Sequence, residues 1–546
     1  MVVPATTDVL VFGSGAAGLT AAVTAAIHGA RVIVLERDEL LGGTSAWSGG
    51  HVWIPCNPHM GSVGASDTPE EAFTYIISLG RGLIEERLAR AYIEAGPEMV
   101  RFLDAHTPTS FYAVADFPDY HPEQPGGRPH GGRTIECPLF SYHELGAWAQ
   151  RVRTTPYFPT PHISMSETPL GAAKAHPPSP AELARREAGD VRGLGQALVG
   201  RLLKACLDRG VELHVSTRAR RLRVEGGRVV SADVDTPDGP QTVAARAGVI
   251  LATGGFEWNE NYKRAFLRGP LTHPVSVPTN TGDGLYMAMH AGAMLANMRE
   301  AWWLPVAEVP TTVNPMGRVM VATDRSRPRS IMVNRRGQRF TNEAANYNAL
   351  GGAFHVEDVS QFTYANLPAW MVVDHGYIRR YGLLGVHPAG DRPPDWVIAA
   401  DTLDELAERL GMPAGALPAT VDRWNEHVAA GHDPDFHRGM SAHDRWWGDA
   451  AFKGDVRANL GPLDEPPFYA IPIHSGALGT KGGPRVDPDA RVLNLDGEPI
   501  AGLYAAGNVM GSPFGMTYGG AGGTLGPAMV FGWLAGRHAA GALPTP

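Results

Sequence analysis

The N-terminal segment contains three apolar runs, with a glycine-rich turn between the first and the second. This pattern restricts the fold more than any other feature of the chain. Residues 8–12 predict a strand, residues 19–28 an alanine-rich helix and residues 31–35 a second strand. The turn between the first strand and the helix has the form G-x-G-x-x-G, and Glu36 follows the second strand. In this context the motif predicts a βαβ unit that binds a dinucleotide.

Each glycine of this turn has its own physical role. Gly13 permits the tight turn, Gly15 lets the backbone approach a pyrophosphate, and Gly18 lets the helix pack on the strand. The start of the helix offers free N–H groups and a positive dipole end to phosphates. Glu36 is placed to accept hydrogen bonds from ribose hydroxyl groups.

Further pieces of the same domain follow far along the chain. They are predicted as a helix, a series of strands and a final apolar helix: 191–209, 211–215, 222–224, 228–234, 248–252, 502–506 and 522–538. The dinucleotide-binding domain is therefore expected to be discontinuous, with residues 1–300 and 470–546 on either side of an inserted domain at residues 301–469. Residues 154–190 are rich in proline and predict a long loop.

The composition of the chain argues against nucleic acid, a transmembrane segment and a bound metal. The chain has 546 residues and a net charge of −9, so it lacks the basic face that nucleic acid binding needs. No window reaches the apolar length of a transmembrane segment. The three cysteines form no paired motif, which favours a cytoplasmic protein, and attachment to one face of a membrane stays open. No metal-ligand spacing is present, so we expect no metal.

Five ordered segments resemble the fumarate reductase/succinate dehydrogenase flavoprotein superfamily, namely residues 41–50, 249–256, 281–284, 332–343 and 502–508. The resemblance implies an α/β fold with a Rossmann-like, discontinuous FAD-binding domain of the GR2 type and an inserted α+β catalytic domain. It implies FAD as the cofactor. Together with the βαβ motif, it predicts these FAD contacts: Gly13, Gly15, Ala16, Ala17, Gly18, Glu36, Arg37, Gly43, Thr44, Ser45, Ser48, Gly49, Gly50, Ala252, Thr253, Gly254, Asp283, Gly507, Asn508, Gly523, Thr524 and Leu525.

The glycine loop after the second strand bears on how FAD is held. In succinate dehydrogenase-type members of the superfamily, a histidine near this loop bonds the flavin covalently. Gly43 occupies that place here, and His51 lies further along the chain. We therefore expect non-covalent FAD.

Three other segments resemble 3-ketosteroid Δ1-dehydrogenases within this superfamily, at residues 118–129, 342–347 and 517–528. The resemblance implies that Tyr347 is the catalytic base and that Tyr120 assists it. It also implies that the Tyr518 hydroxyl and the Gly522 N–H bind the ketone oxygen of the substrate.

The same segments depart from the family pattern at three positions. Asn346, Gly519 and Ala521 stand where that pattern has proline. Proline restricts the backbone, so its loss is expected to change the stiffness of both loops and the shape of the pocket.

The expected reaction is the FAD-dependent α,β-dehydrogenation of a small apolar cyclic ketone, with a 3-ketosteroid as the first candidate substrate. A smaller cyclohexanone-type ring is an alternative. A second alternative is a fumarate-reductase-like enoate reductase, because Arg327 and Arg329 lie near the position where reductases carry their proton donor. Asn508 stands where those reductases usually have glutamate. The sequence identifies no electron acceptor.

Overall fold

The computed structural model describes residues 3–543 and contains a large sheet that carries the dinucleotide-binding motif. Its central strands run parallel in the order Glu212–His214, Val32–Leu35, Thr6–Phe12, Gly239–Leu251 and Pro499–Ala505. Three further strands complete the eight-stranded sheet by antiparallel pairing: Arg218–Glu225, Arg228–Thr236 and Arg491–Leu493. The predicted α/β fold class is confirmed.

Small residues bring the helices of this domain close together. Helix Ala16–Ile27 packs against helices Leu194–Asp208 and Leu525–Gly541. A Cβ atom added at Gly532 would lie 2.5 Å from the Ala17 carbonyl oxygen. The C-terminal helix therefore supports the dinucleotide-binding helix through direct backbone approach.

A second sheet of seven strands forms most of the inserted region. Its strands are His273–Pro274, Ala301–Glu308, Arg318–Met320, Ser330–Asn334, Ala369–Asp374, Ile398–Ala400 and Phe468–Thr480. The strand Phe468–Thr480 pairs with Ala301–Glu308 and Ala369–Asp374 along its length and spans the expected boundary at residue 470. We propose that this domain boundary lies after Thr480. The whole strand Phe468–Thr480 is hydrogen-bonded within the second sheet, so a boundary at residue 470 would divide that strand.

The remaining elements are short or peripheral. The other α-helices are Gly43–Trp47, Pro69–Leu79, Glu86–His106, Pro180–Ala188, Glu260–Phe266, Asp283–His290, Tyr347–Phe354, His375–Tyr381, Leu403–Arg409, Ala416–Ala429 and Ala442–Trp447. Small sheets contain Val52–Trp53, Tyr112–Ala115, Gly131–Glu136, Phe140–Ser141, Val191–Arg192, Leu295–Ala296, Gly483–Pro484, Glu357–Asp358 and Thr363–Tyr364. Within residues 3–543, no helix combines the length and the apolar character that crossing a bilayer requires.

Several predicted elements differ from the structure in their bounds. The strands expected at residues 222–224 and 248–252 are longer, Arg218–Glu225 and Gly239–Leu251. The helix expected at residues 191–209 begins only at Leu194, because Val191–Arg192 pairs as a strand with Phe140–Ser141. The last helix begins at Leu525 rather than at Gly522, which has a φ of +95°. The loop expected at residues 154–190 contains helix Pro180–Ala188, capped by the Ser179 side chain.

Candidate active site and cofactor groove

A cavity of about 910 Å³ extends from the glycine-rich turn to the inserted sheet. All the predicted FAD contacts line it except Gly18 and Gly523, and the four predicted catalytic residues line it as well. Gly18 instead packs within the turn, where a Cβ atom would lie 2.0 Å from the Gly13 carbonyl oxygen. Gly523 lies against the ring of Tyr518, and a Cβ atom added at Gly523 would lie 2.9 Å from that ring.

The phosphate end of the cavity is built from backbone that tolerates no side chain. Gly13 has a φ of +105°, and a Cβ atom there would lie 2.2 Å from the Ala252 carbonyl oxygen. Helix Ala16–Ile27 begins after Gly15 without a side-chain cap. The hydroxyl of Thr253, which also lines the cavity, is buried and has no partner among the described residues. The Ser14 and Ala16 N–H groups of this turn donate to Glu36 and to the Ser45 hydroxyl. The start of the helix, together with the unpaired Thr253 hydroxyl, fits the phosphates of a dinucleotide.

Glu36 lies at the ribose end, where it is held by neighbours in the turn. Its carboxylate accepts hydrogen bonds from the Ser14 hydroxyl at 2.6 Å, the Ser14 N–H at 3.1 Å and the Asp38 N–H at 3.0 Å. Burial raises the pKa of Glu36, and the Ser14 hydrogen bond opposes this effect. The carboxylate is thus fixed in position at the cavity wall, and its contact with ribose hydroxyl groups stays a prediction.

We expect Glu36→Ala to weaken FAD binding by roughly 10- to 100-fold, because a hydrogen bond to a charged group is lost. Titration of the flavin-free protein with FAD, followed by flavin fluorescence, measures the dissociation constant. Glu36→Gln keeps one carbonyl acceptor and serves as the matched variant, with a smaller expected loss. An unchanged dissociation constant in Glu36→Ala would remove Glu36 from the ribose site.

Two predicted cofactor residues are paired with each other. The Arg37 guanidinium donates to the Thr281 hydroxyl at 2.6 Å and to the Asp283 carboxylate at 3.1 Å. Asp283 also accepts two hydrogen bonds from Arg218, each at 2.8 Å. This cluster joins the end of the second strand to helix Asp283–His290 and forms one wall of the cavity.

Three tyrosines that lie far apart in the sequence meet at the other end of the cavity. The Tyr120 and Tyr347 hydroxyl oxygens are 3.0 Å apart. The ring centroid of Tyr518 lies 5.1 Å from that of Tyr120 and 5.5 Å from that of Tyr347. All three side chains are buried. Tyrosines in these positions form a polar cluster inside an otherwise aromatic enclosure.

Backbone hydrogen bonds fix this arrangement. The Tyr120 N–H donates to the Gly519 carbonyl oxygen at 2.9 Å, which joins two of the three segments. The Asn348 side-chain amide donates to the Met516 carbonyl oxygen at 3.0 Å, which joins the helix that begins at Tyr347 to the same loop. The three segments that carry the tyrosines are therefore joined by hydrogen bonds to main-chain carbonyl groups of the loop before Tyr518 and around Gly519.

Tyr518 is arranged as a hydrogen-bond donor. Thr524 donates from its hydroxyl to the Tyr518 hydroxyl oxygen at 3.0 Å, so the Tyr518 proton is free to point into the cavity. Burial raises the pKa of Tyr518, with the Thr524 hydrogen bond opposing it, and the hydroxyl remains protonated at neutral pH. Within residues 3–543 the Gly522 N–H, on the same cavity wall, has no hydrogen-bond partner.

Tyr347 and Tyr120 form the second hydroxyl pair. Burial raises the pKa of Tyr347 well above its usual value near 10, and the neighbouring Tyr120 adds to this effect. Burial also raises the pKa of Tyr120, which the Arg325 cation opposes. Arg325 is fully buried, donates to the Ala345 carbonyl oxygen at 2.7 Å and has an unpaired Nη2. Sequence reasoning considered Arg327 and Arg329 and missed Arg325, since nothing local distinguishes it.

The three positions where the family pattern has proline, Asn346, Gly519 and Ala521, have different surroundings in this structure. The Asn346 side chain accepts hydrogen bonds from the Asn348 and Ala349 N–H groups and so caps the helix that begins at Tyr347. Gly519 faces Trp53, with ring atoms 3.1 Å from where a Cβ atom would lie. The Thr134 hydroxyl donates to the Ala521 carbonyl oxygen at 3.0 Å. Only the Asn346 cap is a side-chain contact that proline could not make, and the predicted effect of the three replacements on the loops and the pocket stays a prediction.

Two groups of potential metal ligands occur among residues 3–543, although sequence spacing predicted none. They are His273, Glu308 and His474, and His427, Asp433 and Asp435. Neither group lines the cavity. The absence of a metal requirement for the reaction stays a prediction.

Comparison with known proteins agrees with this geometry. The family model described as FAD binding domain matches residues 8–525. The chain belongs to this family. Its predicted cofactor, FAD, is therefore confirmed, and the fold around the G-x-G-x-x-G turn is the one that such a cofactor needs.

Individual relatives and a solved structure cover nearly the whole chain. The 4-oxocyclohexanecarboxylate 2-dehydrogenase of Sinomonas cyclohexanicum is 44% identical over 98% of this chain and 93% of its own. A 3-oxosteroid 1-dehydrogenase of Mycobacterium tuberculosis is 40% identical, with 98% of each chain covered. The crystal structure of 3-ketosteroid Δ1-dehydrogenase from Sterolibacterium denitrificans has a TM-score of 0.89 and 34% identity, and the match covers 99% of this chain and 100% of that one. The resemblance to 3-ketosteroid Δ1-dehydrogenases is confirmed.

Proposed function

We propose that the protein is an FAD-dependent oxidoreductase that acts on a CH–CH group and desaturates a cyclic ketone beside its carbonyl. The observation that supports this most strongly is the convergence of three buried tyrosine hydroxyl groups on one cavity with the FAD groove. The relatives named above supply two candidate ring systems, a 3-oxosteroid and a smaller cyclohexanone-type ring.

The proposed roles of the tyrosines follow from their protonation and contacts. The Tyr518 hydroxyl and the Gly522 N–H donate to the ketone oxygen, which makes the adjacent carbon more acidic. Tyr347, as the phenolate, takes the proton from that carbon. With Tyr347 neutral, burial and Tyr120 raise the Tyr347 pKa. Once Tyr347 is the phenolate, the Tyr120 hydroxyl, 3.0 Å away, turns its proton to the Tyr347 oxygen and offsets the cost of the buried charge, and the nearby Arg325 cation also favours this charge.

FAD, when bound, supplies the acceptor for the hydride that leaves the neighbouring carbon. The residues proposed to hold it are those of the glycine-rich turn, Glu36, the loop around Ser45 and the end of the strand before Thr253. The buried aromatic enclosure excludes water from the reacting carbons. The product is the α,β-unsaturated ketone, and a separate electron acceptor must reoxidise the flavin.

Anaerobic mixing of the FAD-loaded protein with a panel of ring ketones tests this function. We expect bleaching of the oxidised flavin absorbance by at least one cyclic ketone, with formation of the conjugated enone. The alternative enoate reductase predicts the reverse result, in which an enoate such as fumarate reoxidises the reduced protein and no ketone bleaches it. Of the two arginines considered above for the reductase alternative, Arg329 is bound to Asp374 at 2.6 Å and does not line the cavity, whereas Arg327 does line it.

We further propose that FAD is held without a covalent bond, so that acid precipitation leaves the protein colourless and the flavin in solution. His51 is the one histidine among the described residues that lines the cavity, and its Nε2 is buried without a partner. His51→Ala is therefore the matched variant. Yellow colour that stays with precipitated wild-type protein but leaves His51→Ala would contradict this proposal.

A further inference from the structure

Three side chains that the proposed reaction does not use come together on one face of the second sheet. His474 lies on a strand with one neighbouring strand on each side, and these neighbours carry His273 and Glu308. His273 pairs with Gly476, and Val306 pairs with His474. Because alternate residues of a strand share a face, all three side chains lie on the same side of the sheet.

The ligand atoms of this group are close enough to share one metal ion. A ring nitrogen of each histidine and a carboxylate oxygen of Glu308 lie within 4.8 Å of one another. The two imidazole rings are stacked, with centroids 4.0 Å apart. His273 Nε2 lies 2.8 Å from Glu308 Oε1. Two imidazoles and a carboxylate form a ligand set that zinc takes in proteins, with water in the fourth position.

The hydrogen bonds around His273 leave a lone pair that faces the carboxylate. The Thr272 hydroxyl donates to the Ser475 carbonyl oxygen at 3.2 Å and lies 2.8 Å from His273 Nδ1. With its proton on Ser475, this hydroxyl accepts from Nδ1–H, and Nε2 is then an acceptor that faces a second acceptor on Glu308. A cation between these two atoms, either a proton or a metal ion, removes their repulsion.

His474 favours a metal ion over a proton as that cation. Its Nε2 is buried and has no hydrogen-bond partner in the part of the chain that the structure describes. A proton shared by His273 and Glu308 offers nothing to His474, whereas a metal ion can also bind a ring nitrogen of this histidine. The Glu308 side chain is 67% exposed, so its carboxylate is free to move to the distance that a metal ion requires.

Arg318 is the cation that competes with a metal ion at this face. It lies opposite Glu308 in the strand pairing. Its guanidinium donates instead to the Met316 carbonyl oxygen at 3.3 Å and to the Pro274 carbonyl oxygen at 3.1 Å. The carboxylate therefore stays available, although the positive charge of Arg318 lowers the affinity for a metal ion.

The second group of potential ligands is already neutralised by arginines. Asp433 accepts hydrogen bonds from Arg339 at 2.9 and 3.1 Å, and Asp435 accepts from Arg423 at 2.8 Å. In the first group, the Glu308 carboxylate has no arginine partner among residues 3–543. The first group is therefore the stronger metal site.

We propose that His273, Glu308 and His474 bind a divalent transition-metal ion, and that Zn²⁺ is the ion that this ligand set fits best. The site has three protein ligands and one position open to water. It goes beyond the proposed function and does not depend on it, because none of the three residues lines the cavity.

The ion would join strands that lead to the cofactor groove. The strand His273–Pro274 continues into Val275 and Val277, which line the cavity. The Val277 N–H donates to the Thr44 hydroxyl at 3.3 Å. Because only the folded chain brings the three strands together, metal binding is expected to stabilise it against unfolding.

Zinc titration of the tag-free, FAD-loaded protein tests the site. The protein is treated with a chelator and desalted, and ZnCl₂ is then added in competition with a chromophoric chelator of known zinc affinity. We expect one Zn²⁺ per chain, with a dissociation constant on the order of 1 µM. At about 100 µM ZnCl₂, the midpoint of thermal unfolding should rise by roughly 2–5 °C.

His474→Ala and Glu308→Gln are expected to weaken zinc binding by roughly 100-fold or more and to abolish the rise in the unfolding midpoint. Glu308→Gln alters a largely exposed side chain, so it keeps the test decisive if His474→Ala does not fold. His427→Ala, which removes the histidine of the second group, is the matched control and should keep both effects. A wild-type protein that binds no zinc at about 100 µM, or zinc binding that survives Glu308→Gln unchanged, would overturn the proposal.

Discussion

Tyr347→Phe is expected to lower the rate of flavin reduction by a cyclic ketone by roughly 10²- to 10⁴-fold, the usual contribution of a general base. Phenylalanine keeps the buried ring and its contacts with Tyr120 and Tyr518, so folding and FAD binding should persist. What is lost is the oxygen that lies 3.0 Å from the Tyr120 hydroxyl. Anaerobic stopped-flow absorbance at saturating ketone measures the rate directly.

The pH dependence of the reaction distinguishes a base from a packing residue. Burial raises the pKa of Tyr347 well above 10, so only a small fraction is phenolate at neutral pH. The second-order rate constant of the wild-type protein should therefore rise roughly tenfold per pH unit through the neutral range. Tyr518 keeps its proton over the same range because its pKa is raised too.

In Tyr347→Phe, the rise of the second-order rate constant with pH should disappear. Tyr286→Phe, which removes an exposed hydroxyl on helix Asp283–His290, is the matched control and should keep both the rate and the pH slope. A wild-type rate with an unchanged slope in Tyr347→Phe would assign the base to another group. The adjacent Tyr120 would then be the next residue to test.

Local sequence was enough to predict the dinucleotide-binding half of the fold. The tight turn needs glycine at positions 13 and 15, and glycines at this spacing can be recognised in the sequence. Glu36 could be predicted for the same reason, since its position at the end of a strand follows from the βαβ unit. The convergence of the tyrosines was implied by resemblance alone, because no pattern within 118–129 or 342–347 indicates that the two segments meet.

Other features depend on contacts between distant segments, which sequence patterns do not record. The helix expected at residues 191–209 begins only at Leu194 because Val191–Arg192 pairs with the distant strand Phe140–Ser141. The hydrogen bond that Thr524 donates to Tyr518 was not predicted, and it lies in the turn before the last helix. The predicted contact of Thr524 with FAD stays a prediction. Arg327 lines the cavity, and its carbonyl oxygen is held by the Ser330 side chain and by that of Arg438, which is distant in sequence.

Tyr518→Phe is expected to slow flavin reduction by roughly 10²- to 10³-fold, since one of two donors to the ketone oxygen is removed. The Thr524 hydroxyl would lose its acceptor, but the ring would still pack against Trp302, at a centroid distance of 4.8 Å. FAD binding should change little. The affinity for the ketone should fall less than the rate, because the donors act most strongly on the negative charge that develops as the proton leaves.

Thr524→Val tests how much the hydrogen bond from Thr524 contributes to the role of the Tyr518 hydroxyl. This variant keeps the shape of the side chain and removes the hydrogen bond that the Thr524 hydroxyl donates to the Tyr518 oxygen. A smaller decrease than in Tyr518→Phe is therefore expected, on the order of 10-fold, which is the effect of one neutral hydrogen bond. If Tyr518→Phe reduced the flavin at the wild-type rate, the hydroxyl would not bind the ketone oxygen. Gly522 would then remain as the proposed donor, and Tyr518 would serve only to close the aromatic enclosure around Tyr347.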